Sequence, residues 1–213
     1  MKKKRTRRKQ LRSKSENQEE YIRTMVETDV TICSGPAGSG KTSVAVGLAC
    51  QYILEEKVEK IIVTRPVVES GRGLGFRPGT LQEKIHPYLV PIMEEMGMYL
   101  LPTERQKFIA ANIIEIVPLE YMRGRNFHNS FMILDEAQNA TLEQIKMFIT
   151  RIGRDSKATI NGDVTQTDLP NDCSNGLSHC MDRLEGVEGV GIVRLDESDI
   201  VRNKLISRII ARI

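Results

Sequence analysis

The stretch Thr28-Asp-Val-Thr-Ile-Cys33-Ser-Gly35-Pro-Ala-Gly38-Ser-Gly40-Lys41-Thr42 decides how this chain folds. Thr28 to Cys33 is a short apolar, β-branched run that stops at Ser-Gly-Pro, so it reads as a strand. Lys41 to Leu54 reads as a helix. Between them Gly35 to Thr42 has the pattern G-x-x-x-x-G-K-T. Gly35, Gly38 and Gly40 let backbone N–H groups turn inward and cradle the α- and β-phosphates of a nucleotide. Pro36, Ala37, Ser39 and Ser43 complete that segment. Lys41 reaches the β- and γ-phosphates, the Thr42 hydroxyl ligates Mg²⁺, and the helix N-terminus adds its positive end. The dinucleotide pattern G-x-G-x-x-G is absent here. A guanine-reading Asn-Lys-x-Asp is also missing, because Asn203-Lys204 continues as Leu-Ile. ATP is therefore the expected ligand.

Outward from this loop, short β-branched runs alternate with helical patterns. Further strands are predicted at Lys60–Thr64, Ile113–Val117, Phe131–Leu134, Lys157–Ile160 and Val190–Arg194. Helices are predicted at 17–27, 81–96, 103–111, 142–151, 174–184 and 199–212, with Thr141 and Gln144 forming a capping box. Residues 66–79, with four glycines and two prolines, read as loop, and 118–127 as a basic loop. The alternation predicts a mainly parallel sheet covered on both faces, a three-layer α/β fold whose ligands bind at the carboxyl ends of the strands.

Phe131-Met-Ile-Leu-Asp135-Glu136 is an apolar strand ending in two carboxylates. Asp135 is placed to hold Mg²⁺ through water, and Glu136 to polarise an attacking water as general base. After the next strand, Gly162-Asp163-x-x-Gln166 offers a glutamine that senses the γ-phosphate, or a plain polar turn. Upstream, Gln18 reads adenine through its amide, with Tyr21 packing nearby, or else simply begins a helix. Arg65, Arg77, Tyr121, Arg123 and Arg125 lie in loops after strands. Arginines with interspersed aromatics suit nucleic-acid phosphates and bases, but equally subunit contacts or plain surface. Cys173 and Cys180 have His179 nearby, but their spacing is not that of a zinc site, so no metal beyond Mg²⁺ is expected.

The chain has 213 residues, a hydrophobic fraction of 40% and a net charge of +3. That is enough for one core, and no apolar run is long enough to span a membrane. Nine Lys or Arg fall in residues 2–14; without them the body carries 22 basic and 28 acidic side chains. We therefore divide the chain into a disordered basic arm, 1–15, and one domain, 16–213. The arm suits nucleic acid, another anionic surface, or solubility alone. No apolar segment follows the charged N-terminus, so it is not a secretory signal. With four cysteines and no disulfide pattern, a cytoplasmic protein is expected.

GPAGSGKT, VTRPVVESG, LGFRPGTLQEKIHPYLVP, YMRGR, ILDEAQNAT, GDVTQTDLP and DIVR, in that order, resemble the PhoH-like ATPases over roughly residues 17–212. Asn203-Lys204 departs from the His-Pro that often follows DIVR in that family. The resemblance implies a fold similar to the first motor domain of superfamily 1 helicases. In it the strand ending at Gly162 lies between the phosphate-loop strand and the Asp-Glu strand. It implies ATP hydrolysis linked to RNA or single-stranded nucleic acid, with strand unwinding or, alternatively, ATP-gated binding of RNA or a partner without it. A partner nuclease is a further expectation. Because such motors close their site with arginines from a second domain, a neighbouring copy is expected to supply them, most simply in a hexameric ring, with Arg202 the first candidate.

Overall fold

The computed structural model describes residues 8–66, 81–166 and 176–200, with side chains in the second stretch from residue 90 onward. The elements are α1 (Glu16–Glu27), β1 (Val30–Ser34), α2 (Lys41–Leu54), β2 (Lys60–Arg65), α3 (Leu81–Tyr99) and α4 (Pro102–Ala110). They continue with β3 (Ile114–Pro118), β4 (Ser130–Leu134), α5 (Leu142–Ile149), β5 (Lys157–Gly162), α6 (Gly176–Leu184) and β6 (Val190–Arg194). The six strands form one parallel sheet in the order β3-β2-β4-β5-β1-β6. β5 thus separates β1 from β4, as the resemblance implies.

The side-chain period of two along a strand sorts the core onto the two faces. Cys33, Ile61, Val63, Phe131 and Ile133 face one cluster, built with α1, α2 and α3. Ile32, Ile62, Met132 and Leu134 face the other, built with α5 and α6. The central strands are buried on both faces, which is why they read as unbroken apolar runs. Thr141 caps α5: its hydroxyl accepts from the Gln144 N–H, while Gln144 Oε1 accepts from the Thr141 N–H. α3 continues three residues past the predicted Met96 and takes in Pro91. The predicted basic loop contains a short 3-10 helix at Leu119–Met122. Predicted features within 67–80 and 201–213, including Arg77, Arg202 and the final helix, lie outside the described residues, as do Asp168 and Cys173. No described helix is long and apolar enough to cross a membrane.

One expectation is corrected. Residues 8–15, assigned to a disordered arm, pack along the body. The Lys9 N–H donates to Met98 O at 2.9 Å, Arg8 pairs with Glu104, and Leu11 joins the α1–α3 side of the core. Leu11 supplies the apolar anchor among the charges, and Ser15 then caps α1 by accepting from the Gln18 N–H.

Candidate active site

The parallel sheet brings the ends of β1, β2, β4 and β5 to one edge. A cavity of about 460 Å³ opens there, within the range of small-ligand sites. Its walls include Gly38, Gly40, Lys41, Thr42, Ser43, Arg65, Asp135, Glu136, Asp163 and Gln166. The loop from Gly35 to Gly40 joins β1 to α2. Gly38 and Gly40 have φ of 82° and 94°, the left-handed region that a glycine enters without steric cost. A Cβ on Gly40 would also lie 2.7 Å from Gln18 Nε2. Lys41 Nζ donates to the carbonyls of Gly35 at 2.5 Å and Pro36 at 2.9 Å. Ser39 is fully buried, and its hydroxyl donates to Pro36 O.

Asp135 follows β4 and is 1% exposed. Its Oδ1 accepts from the Thr42 hydroxyl at 2.8 Å. A hydroxyl and a carboxylate are hard oxygens of the kind Mg²⁺ takes, the carboxylate directly or through water, so the residues present fit that ion. The other oxygen, Oδ2, accepts from Arg65 Nε at 3.0 Å and from its terminal nitrogen at 2.5 Å. For Arg65 the sequence leaves nucleic acid, a subunit contact and plain surface open. The structure instead commits its guanidinium to this carboxylate, because β2 runs beside β4 and ends at the same level.

Glu136 has φ 57° and ψ 38°, a left-handed conformation uncommon for a residue with a side chain. Its Oε2 accepts from Gln138 Nε2 at 2.7 Å, and Gln138 Oε1 accepts from the Asp163 N–H at 3.1 Å. Gln138 therefore ties the end of β4 to the end of β5. Asp163 is 5% exposed; its Oδ1 accepts from Thr165, whereas Oδ2 is buried with no hydrogen-bond partner among the described residues. Gln166 is exposed and reaches the same cavity.

Gln18 does line the cavity, but its amide is engaged at both ends. Nε2 donates to Ser39 O at 2.7 Å, and Oε1 accepts from the Lys14 N–H at 2.9 Å. Tyr21 does not approach a ligand position: it is fully buried, with its hydroxyl donating to Asn161 Oδ1 at 2.5 Å and sharing a 2.7 Å bond with Thr159. Burial holds its proton well above the ordinary phenol range. Burial likewise raises Cys33, at the base of the loop, so the thiol stays neutral.

The remaining candidates separate. Tyr121 is 53% exposed and Arg123 is exposed, both beyond the carboxyl end of the edge strand β3. Arg125 pairs with Glu115 at 2.5 Å and lies 4.6 Å over the Phe127 ring. Its placement is thus set by the protein. The sequence assigns no role to Asp163 or Gln138, and offers residues 9–14 only as part of the basic arm, not as a wall of this cavity. Asp163 and Gln138 stand inside the quoted motifs, and Leu11 breaks the charge run, so each carried a signal.

A model of the PhoH-like protein family matches residues 10–213. A PhoH-like protein of Synechocystis is 44% identical over 94% of this chain and 61% of its own length. One of Bacillus subtilis is 44% identical over 95% of this chain and 63% of its own. The chain thus spans less than two thirds of the length of these relatives. Among solved structures, the large terminase of a thermophilic bacteriophage superposes with a TM-score of 0.56 at 11% identity, covering 93% of this chain and 50% of the terminase. That likeness concerns the fold, a P-loop α/β core. On its sequence, the chain belongs to the PhoH-like protein family.

Proposed function

We propose that this protein is a Mg²⁺-dependent ATPase whose turnover is coupled to RNA or single-stranded nucleic acid. The observation that carries the reading is the placement of Lys41, Thr42, Asp135 and Glu136 around one cavity at the strand ends. Thr42 and Asp135 would hold the ion, which supplies charge neutralisation on the phosphates when bound. Lys41 exchanges the carbonyls of Gly35 and Pro36 for phosphate oxygens. Glu136 accepts the proton of the attacking water, and the hydrogen bond from Gln138 orients its carboxylate. Gln138 also links that carboxylate to the segment carrying Asp163 and Gln166, so movement there reaches the base. Exposed Tyr121 and Arg123, at the same edge of the sheet, suit stacking and phosphate contact.

The test is the ATPase rate with and without RNA, single-stranded DNA and duplex DNA, beside a strand-displacement assay. Stimulation by a single strand supports the coupling. ATP hydrolysis indifferent to every nucleic acid refutes it. Stimulation without displacement selects the alternative reading, an ATP-gated nucleic-acid binder.

A further inference from the structure

The cavity has two ends. Toward one lie Asp135, Glu136, Gln138 and Asp163, a carboxylate-rich group that Asp135 ties to Thr42. In the ATPase reading, on which this inference rests, the γ-phosphate points that way. The nucleoside then points toward the rest of the lining, Lys9, Leu11, Arg12 and Lys14 together with Pro91, Glu95, Met98 and Tyr99 of α3, which meet where Lys9 bonds Met98 and where Leu11 and Tyr99 share Gly47. Gln18, the residue expected to read the base, has its amide oxygen and nitrogen committed to Lys14 and Ser39.

Residues 8–14 are held in place along their length. Arg8 Nε donates to Glu104 at 3.2 Å, and the Lys9 N–H donates to Met98 O at 2.9 Å. Leu11 and Tyr99 converge on Gly47 of α2, where a Cβ would lie 2.8 Å from each, so the absence of a side chain there makes their seat. The Lys14 N–H reaches Gln18, which in turn bonds the phosphate loop at Ser39. Against this fixed backbone the Arg12 and Lys14 side chains remain exposed. Arg12 makes a single long bond, 3.5 Å to Gln10, among the described residues.

We propose that residues 9–14 form the nucleoside side of the ATP site. Arg12 and Lys14 hold the base and sugar of the bound nucleotide against the α3 wall. A guanidinium over a purine face and an ammonium near sugar hydroxyls are the interactions this wall provides. The segment then serves nucleotide binding, with its three basic residues Lys9, Arg12 and Lys14 withdrawn from the pool expected to meet nucleic acid.

The test is calorimetric titration of the full chain and of the double variant Arg12→Ala, Lys14→Ala with Mg·ATP and with Mg·tripolyphosphate, which has the phosphates but no nucleoside. Both substitutions are at exposed positions, so the fold is retained; thermal unfolding checks it. The wild type is expected to bind both ligands. The variant is expected to bind ATP about tenfold more weakly, the scale of one or two desolvated cation contacts, with tripolyphosphate within about threefold of wild type. A chain lacking residues 2–12 should show the same pattern. Unchanged ATP affinity, or equal weakening of both ligands, overturns the proposal while leaving the ATPase reading standing. A wild type that binds neither ligand refutes both.

Discussion

Arg65→Ala should destabilise the protein in a manner that Mg²⁺ and nucleotide repair. The Asp135 side chain is 2% exposed and that of Arg65 16%. Removing one partner of a buried ion pair costs about 3–5 kcal/mol, because the other charge is left in a low-dielectric site. Here Asp135 retains the Thr42 hydroxyl at 2.8 Å, which puts the cost at the low end, about 3 kcal/mol. For a chain of this size each kcal/mol moves the melting temperature by about 2–4 °C, so the variant should melt about 6–12 °C below wild type in EDTA. Magnesium supplies the missing positive charge to the same carboxylate, so with saturating Mg·ADP the gap should shrink to about a third. Thermal unfolding followed by circular dichroism in the two buffers measures both. Equal melting temperatures in EDTA, or a gap that Mg·ADP leaves unchanged, would refute the reasoning.

Two further predictions concern other parts of the molecule. Burial raises the Glu115 carboxyl, but hydrogen bonds from Arg125 and Lys60 outweigh it and hold it below its ordinary value. Its stabilisation is therefore full above the unfolded-state pKa and is lost as pH falls through the lowered one. Urea unfolding should show Glu115→Gln less stable than wild type at pH 7, with the difference closing below about pH 4; a difference independent of pH contradicts the pairing. For assembly, Arg202→Ala and Glu136→Gln proteins should each be nearly inactive and partly regain ATPase activity when mixed. No recovery between variants shown to co-assemble would remove the neighbouring arginine.

The site was legible in the sequence where chemistry and spacing coincide on one short segment. Lys41 and Thr42 follow a glycine loop, and Asp135 and Glu136 end an apolar strand, so each pair announces its own place. The relation between pairs depends on which strands are neighbours. Arg65 could be matched to Asp135 only once β2 lay beside β4, since 70 residues separate the two in sequence. The same holds for Gln138 and Asp163, joined through the β4–β5 pairing. The basic segment was misread for a different reason. Nine charges in residues 2–14 outweighed the single Leu11, whose seat against Gly47 and Tyr99 is made by residues far along the chain. Gln18 illustrates the limit of motif reading: its position beside the phosphate loop was foreseen, but its amide is taken up by the backbone on either side.

The central claim is that Glu136 is the base of an ATPase built on Lys41, Thr42 and Asp135. It is tested most directly by single-turnover ATP hydrolysis and equilibrium ATP binding, measured on wild type and Glu136→Gln in the presence of Mg²⁺. The amide is nearly isosteric but accepts no proton. The variant should therefore bind ATP as tightly as wild type and hydrolyse it about 10²–10⁴-fold more slowly, the usual contribution of a general base. Hydrolysis by Glu136→Gln at the wild-type rate would contradict the account.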